Sequence, residues 1–194
     1  PFTTGILVGI GEDRDDRIAA LEAIAASHRR HGHVQEVIVL NFLPKAGTAM
    51  HSAPPCPSDV YLEAIALARL ILPPEIHLQA PPNLSDDFGP LLDAGIDDWG
   101  GVSPVTVDHV NPERPWPVLD RLREVTEGRA QALAPRLTAN LGYDGNHGRW
   151  IHGAVYYTIH RAYKATRLLS AHLCLETRNK TISKSRQMDL HKLF

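Results

Sequence analysis

The sequence has 194 residues, 43% of them hydrophobic, and a formal net charge of −2 at pH 7. This size and balance are typical of one globular domain and exclude a disordered segment or a strongly basic nucleic-acid-binding domain. No apolar run reaches the roughly 18 residues of a membrane span, so we expect no membrane partner, and the composition favours no nucleic-acid partner. Cys56 and Cys174 lie far apart and in no C-x-x-C pair, which favours the reducing cytoplasm. The chain opens on Pro1 with neither a basic leader nor an initiator Met, and we expect it to be a fragment of a longer protein.

Charge and proline content change near Tyr143. Residues 1–143 contain all 15 prolines, 11 Lys or Arg and 19 Asp or Glu, whereas residues 144–194 contain 9 basic and 3 acidic residues and no proline. The two parts therefore carry −8 and +6, which predicts a body over 1–143 and a basic tail over 144–194. The spacing of Ile151, Val155, Ile159 and Ala162 favours an amphipathic helix that covers an exposed sheet edge; sequence without a selected fold is the alternative.

Strand and helix patterns alternate through the body. Acidic residues precede the first helix and Gly32 follows it, Ser58 is placed to cap the second, and Pro73 stops that helix. The predicted strands are 3–10, 34–42, 76–80 and 96–99, and the predicted helices lie near 18–30, 58–70, 91–94 and 118–126. Four such units predict an α/β fold with parallel strands, equal to half of a TIM-type β/α barrel.

Polar and glycine-rich segments follow each predicted strand. They are Gly9–Glu12, Asn41–Thr48, Gln79–Asn83 and Asp97–Thr106. Because the carboxyl ends of parallel strands meet at one rim of a barrel, we expect these segments to form a common ligand site. Turn geometry alone also favours Gly, Pro and Asn in such loops, which is the competing interpretation.

The first strand ends in the motif GILVGIGE, which fits G-x-I/L-x-G-x-x-E. Glycines at a strand end allow a ligand to approach the backbone, and exposed strand amides can contact a purine edge. No Lys-Ser/Thr follows the glycines, so the motif is not a phosphate-binding loop. A tight turn with a helix-starting Glu12 is the alternative interpretation.

Together with the next strand end, NFLPKAGT, this motif resembles the fifth and sixth strands of radical S-adenosylmethionine (SAM) barrels. The resemblance implies that Leu7 and Leu43 flank the adenine of SAM, while Gly5 and Gly9 clear space for it. Carried over by position, the SAM-binding candidates are Gly5, Leu7, Gly9, Glu12, Asn41 and Leu43.

The longer phrases LQAPPNL and AGIDDWGGVSPVTVDHVNPERPWP are similar to the FO synthases, which close the deazaflavin ring of the coenzyme F-420 precursor. The resemblance covers about residues 1–140 and implies a radical SAM lyase acting on a tyrosine-derived uracil adduct. Its implied substrate-binding residues are Gln79, Asn83, Asp98, Trp99, Gly100, Gly101 and Ser103, whereas no catalytic residue is assigned. Ordinary loop hydrogen bonds and a core position for Trp99 are the alternatives.

The sequence lacks the C-x3-C-x2-C loop with which these enzymes bind a 4Fe-4S cluster, and Cys56 and Cys174 cannot replace it. We therefore expect no metal ligands here and an inactive chain in isolation. The expected partners are the N-terminal half of the barrel and the FO synthase domain or subunit that makes the adduct. Another radical SAM carbon-skeleton enzyme and a non-catalytic half-barrel interaction module are the alternative functions.

Overall fold

The computed structural model describes residues 1–103, 105–136, 139–144, 149–155, 157 and 173–179. The strands are β1 (Phe2–Val8), β2 (Val34–Asn41), β3 (His77–Gln79), β4 (Asp98–Val102), β5 (Gln131–Arg136) and β6 (Leu173–Asn179). The helices are α1 (Arg14–His31), α2 (Ser58–Ile71), α3 (Gly89–Asp93), α4 (Leu119–Glu127) and α5 (Leu141–Asp144), with a 3-10 turn at Pro82–Leu84.

Local signals define both ends of α1. Asp13 accepts the amide of Asp16 at 2.9 Å, and Asp16 accepts the amide of Asp13 at 3.1 Å, which forms a capping box. Gly32 ends the helix in the left-handed conformation, with a φ of 64°. The prediction for this helix is confirmed, whereas the cap predicted for α2 is wrong: Ser58 is the first helical residue and Pro57 precedes it without a side-chain cap.

One six-stranded sheet has the order β1-β2-β3-β4-β6-β5. The pairs β1–β2, β2–β3 and β3–β4 are parallel, which confirms the predicted α/β character and the parallel arrangement of the first four strands. Strand β6 is antiparallel to both of its neighbours. Strands β4 and β5 consequently run in the same direction, with β6 inserted between them.

The tail contributes β6 to this sheet, and β6 covers the edge that β4 would otherwise leave open. Ile151 is buried, whereas Val155 is 51% exposed. The other two positions of the predicted tail helix, Ile159 and Ala162, lie outside the described residues.

The hydrophobic core lies between the sheet and its helices. Val39, Leu78 and Trp99 are fully buried against the helical layer, and polar or glycine residues flank Leu78 and Trp99 along their strands. The residues between them, such as Gln79, lie on the opposite face of the sheet. The segment after α5 reaches this second face, where Ile151 lines a cavity, and the polar groups of the face form the central part of the candidate site.

The fourth strand differs from its predicted position. It covers Asp98–Val102 instead of 96–99, so that Gly100 and Gly101 belong to the strand and not to a rim loop. The strand extends to Val102 because Gly100 and Gly101 pair with residues of β6. The local sequence of β4 does not indicate this pairing.

Candidate functional site

At the carboxyl end of β1, the carboxylate of Glu12 is engaged within its own turn. It accepts the amides of Gly9 and Ile10, both at 2.8 Å, and lies 3.0 Å from Nη1 of Arg17. Burial opposes ionisation here, but these hydrogen bonds outweigh it and lower the pKa of Glu12. The role shown for Glu12 is therefore to hold the turn after β1 in place.

The glycines of the β1 motif make room for the chain itself. A Cβ at Gly5 would lie 2.2 Å from the carbonyl oxygen of Ile38, and a Cβ at Gly9 would lie 2.7 Å from the Cβ of Cys56. Gly9 also has a φ of 95°, a conformation that favours glycine. Gly5 and Gly9 thus allow close packing against β2 and against the segment before α2, and their role toward adenine stays a prediction.

Three other rim residues keep surface or polar atoms available. Leu7 is 42% exposed and Leu43 is half-buried beyond the end of β2. Asn41 donates to the carbonyl oxygen of Leu84 at 2.9 Å, while its own Oδ1 is buried without a hydrogen-bond partner in the described part of the chain. A buried amide oxygen without a partner is a candidate contact for a ligand donor.

Asn83 has the same character on the neighbouring loop. Its Nδ2 donates to Oδ2 of Asp108 at 2.9 Å and to the carbonyl of Arg114 at 3.1 Å, and its buried Oδ1 has no partner among the described residues. Lys45 is held by the same loop, because its Nζ donates to the carbonyl of Val110. Asn41 at the end of β2 and Asn83 in the loop after β3 thus each have a buried side-chain oxygen without a partner among the described residues.

Ser103 stabilises the loop after β4. Its Oγ accepts the amide of Thr106 at 3.0 Å and the hydroxyl of Thr106 at 2.7 Å. This pattern is that of a serine that closes its own turn, and it agrees with the loop interpretation given for Ser103.

Trp99 is a core residue in this structure. It is fully buried, its indole Nε1 donates to Oγ1 of Thr126 at 3.1 Å, and its ring meets Phe88 edge to face with 5.7 Å between centroids. The side chain points to the helical layer, away from the face that carries Gln79 and Asp98. A ligand ring on that face cannot stack on Trp99.

A charged cluster that the sequence analysis missed lies on the open face of the sheet. Nη2 of Arg136 on β5 lies 2.6 Å from Oε1 of Glu36 on β2, and its Nε donates to Oδ2 of Asp98 on β4. Asp98 also accepts the amide of Gly100 at 2.6 Å, and Glu36 accepts the hydroxyl of Thr3 at 3.2 Å. Two carboxylates from different strands therefore share one guanidinium.

Burial dominates the electrostatics of this cluster. Asp98 is completely inaccessible, and burial raises its pKa to about 7 although Arg136 acts in the opposite direction. Burial also raises the pKa of Glu36 against the effect of the same arginine. Burial therefore favours the protonated form of both carboxyl groups, whereas the shared guanidinium favours their ionised form.

A cavity of about 490 Å³ opens beside the cluster. Its polar lining includes Thr3, Glu36, Gln79 and Arg136, and its apolar lining includes Trp150 and Ile151 from the segment after α5. Its volume falls in the range of small-molecule sites. Of the predicted substrate residues, Gln79 and Gly101 line this cavity, whereas Asn83, Trp99 and Ser103 do not.

The comparisons with known proteins point to one family. The chain is 52% identical over 153 residues, 78% of its length, to FO synthase of Mycobacterium tuberculosis, of which it covers 18%. Over 128 residues, 66% of its length, it is 56% identical to the 7,8-didemethyl-8-hydroxy-5-deazariboflavin synthase of Archaeoglobus fulgidus, of which it covers 40%. The enzyme of the same name from Methanoculleus marisnigri is 58% identical over 125 residues, 64% of this chain and 38% of that enzyme. The chain is homologous to a segment of FO synthase.

This homology confirms the predicted resemblance, and the chain spans 18–40% of the length of these three curated relatives. No family model and no solved structure matches it. Across the described residues, His, Cys, Asp and Glu form no group of three placed to hold a metal ion. None of the helices described is long and apolar enough to cross a membrane.

Glu36 and Arg136 are the residues of the candidate site that sequence reasoning missed. Each is a single charged residue within a mainly apolar strand, VQEVIVLN and QALAPR. A lone charge in a strand that is otherwise apolar is a usable signal, since burial of such a group requires a partner. The partner itself was hidden because the two residues are 100 positions apart.

Proposed function

We propose that this chain is part of a radical SAM enzyme that forms the 8-hydroxy-5-deazaflavin chromophore from a tyrosine-derived uracil adduct, as one half of its β/α barrel. The observation that carries the proposal is the 52–58% identity to FO synthases and deazariboflavin synthases over 64–78% of the chain. The parallel order of β1 to β4 is compatible with part of a barrel and supports the same assignment.

The carboxyl rim of β1 and β2 supplies contacts suited to SAM. Leu7 offers an exposed apolar surface to the adenine ring, and the unpaired Oδ1 of Asn41 offers an acceptor to a nucleoside donor. Gly5, Gly9 and Glu12 act on this rim indirectly, because they fix the turn and the close packing on which Leu7 depends. When bound, SAM and a 4Fe-4S cluster supply the radical that removes hydrogen from the substrate.

The cluster ligands belong to the missing half of the barrel in this proposal. Cys56 is a free cysteine, and it is buried against Gly9 with a pKa that burial raises. A buried thiol of this kind is an unsuitable iron ligand without rearrangement. The role of this half is therefore to bind and orient SAM and substrate and to exclude water, in a complete protein that works in the cytoplasm with the adduct-forming domain or subunit.

The test is anaerobic reconstitution of the complete protein that contains this segment. With iron, sulfide, SAM and the tyrosine-uracil adduct, it is expected to release 5′-deoxyadenosine and to form a product with deazaflavin absorbance. The isolated 194-residue chain, treated in the same way, is the matched control and is expected to release none. A cluster-loaded complete protein that yields no 5′-deoxyadenosine with the adduct contradicts the proposal.

The products of this reconstitution experiment distinguish the proposed function from its two alternatives. Deoxyadenosine release with a different substrate and no deazaflavin favours another radical SAM carbon-skeleton enzyme. Failure to load a cluster at all favours the non-catalytic half-barrel module.

A further inference from the structure

The side chain of Gln79 borders the cavity and makes no hydrogen bond within the described part of the chain. The residue is 8% exposed and lines the cavity together with Glu36 and Arg136. A convergent polar group with free donors and acceptor, placed on a small-molecule cavity, is typical of a group that orients a ligand.

Strand β4 is shaped to receive this carboxamide. Gln79 pairs across the sheet with Asp98, two residues before Gly100, and Gly100 has a φ of 74°. A Cβ at Gly100 would lie 1.9 Å from Nε2 and 2.4 Å from Cδ of Gln79. The amide of Gly100 is held by Asp98, so the glycine serves as a seat for Gln79 and not as a backbone contact for a ligand.

The surroundings of Gln79 favour a neutral ligand. The guanidinium of Arg136 is engaged by both Glu36 and Asp98, so its charge is already balanced by two carboxyl groups of the protein. A carboxamide presents a donor and an acceptor side by side, which complements a cyclic imide whose N–H lies next to a carbonyl. The deazariboflavin named for two of the relatives contains such an imide in its pyrimidinedione ring.

We infer that Gln79, held in place by Gly100, pairs with the imide edge of the pyrimidinedione ring of the substrate and determines specificity for it. This inference rests on the proposed function and assigns the ring to the cavity on the open face of the sheet. SAM binds elsewhere in this arrangement, at the rim formed by Leu7 and Asn41.

The test uses the complete protein and two probes, ribityl-diaminouracil and its analogue methylated at the imide nitrogen. Binding is measured by isothermal titration calorimetry for the wild type and for Gln79→Met, which preserves side-chain length without the amide. Methylation is expected to weaken binding to the wild type about tenfold, which corresponds to about 1.4 kcal/mol, and to leave binding to Gln79→Met unchanged. Gln79→Met is also expected to bind the unmethylated probe about tenfold more weakly than the wild type does.

Two glycine variants complete the experiment. Gly100→Ala is expected to bind the unmethylated probe as weakly as Gln79→Met, because the added Cβ displaces the carboxamide of Gln79. Gly142→Ala is the matched control and is expected to bind like the wild type, since a Cβ there meets nothing within 4 Å. Melting temperatures show whether each variant is folded.

An equal effect of methylation on the wild type and on folded Gln79→Met overturns the inference. So does a wild type that turns over the adduct but binds both probes equally. Neither result affects the proposed function, which fails separately if the wild type releases no 5′-deoxyadenosine with the adduct.

Discussion

Replacement of Arg136 by methionine tests the buried charge cluster. The side chains of Arg136, Glu36 and Asp98 are only 6%, 7% and 0% exposed, so the variant leaves two carboxylates buried without their shared cation. Removal of one partner from a buried ion pair typically costs about 3–5 kcal/mol. We expect a loss of this size in the free energy of unfolding at pH 8.

The loss is expected to depend on pH, with a defined sign. Burial holds the pKa of Asp98 at about 7 in the folded protein, above the ordinary value of about 3.9 in an unfolded chain. The folded state therefore binds more protons between these values, and this group lowers stability as the pH rises from about 4 to about 7, by about 4 kcal/mol in all. Without Arg136 the folded-state pKa values of Asp98 and Glu36 rise further. The loss in free energy of unfolding caused by the substitution therefore increases with pH.

The measurement is urea-induced unfolding followed by tryptophan fluorescence at pH 5 and pH 8. At pH 5 the carboxyl group of Asp98 is protonated and the raised pKa of Glu36 favours its protonated form, so only about 1–2 kcal/mol from lost hydrogen bonds is expected. Arg121→Met is the control, because Arg121 is 57% exposed and its pair with Glu124 should contribute less than about 1 kcal/mol. Equal losses at both pH values, or a loss as small as that of the control, would refute the reasoning.

Three further variants test the carboxyl rim and the core by the same unfolding measurement. Gly9→Ala is expected to cost about 1–3 kcal/mol, because its φ of 95° is strained for alanine and the new Cβ meets Cys56 at 2.7 Å. Glu12→Ala leaves two amides without their acceptor and should cost about 1–3 kcal/mol, a loss that declines as the pH falls through the lowered pKa of Glu12. Trp99→Phe removes the hydrogen bond to Thr126 and part of the core, with an expected cost of about 2–3 kcal/mol.

Each of these variants has a control. Gly142→Ala has open space for its Cβ, and Glu22→Ala changes an exposed glutamate of α1, so both should stay within about 0.5 kcal/mol of the wild type. For Trp99, binding of SAM and substrate by the complete protein is expected to persist in the folded phenylalanine variant. A free energy of unfolding equal to that of the wild type in Gly9→Ala or Glu12→Ala contradicts the roles given to these residues. For Trp99→Phe, a loss of ligand binding at unchanged stability contradicts its assignment to the core.

The parts of the fold that local sequence controls were predicted well. The capping residues of α1 and Gly32 after it are short-range signals, and the apolar run of β2 identifies a buried strand without reference to its neighbours. The boundary of β4 was wrong by two to three residues because ladder pairing with β6, a strand more than 70 positions later, extends it through Gly100 to Val102. Local pattern contains no information about such a partner.

For the site, the sequence indicated the resemblance to FO synthases, the alternating βα order and the polar segments at the strand ends. Which groups meet became visible in the three-dimensional fold: Arg136 reaches Glu36 across 100 positions, Trp99 turns to the helical layer, and Gln79 rests on Gly100. The physical reason is that strand order and register place these side chains on one face or the other. Register is set by backbone pairing over long distances in the chain, whereas composition and spacing report only on neighbours within a few residues.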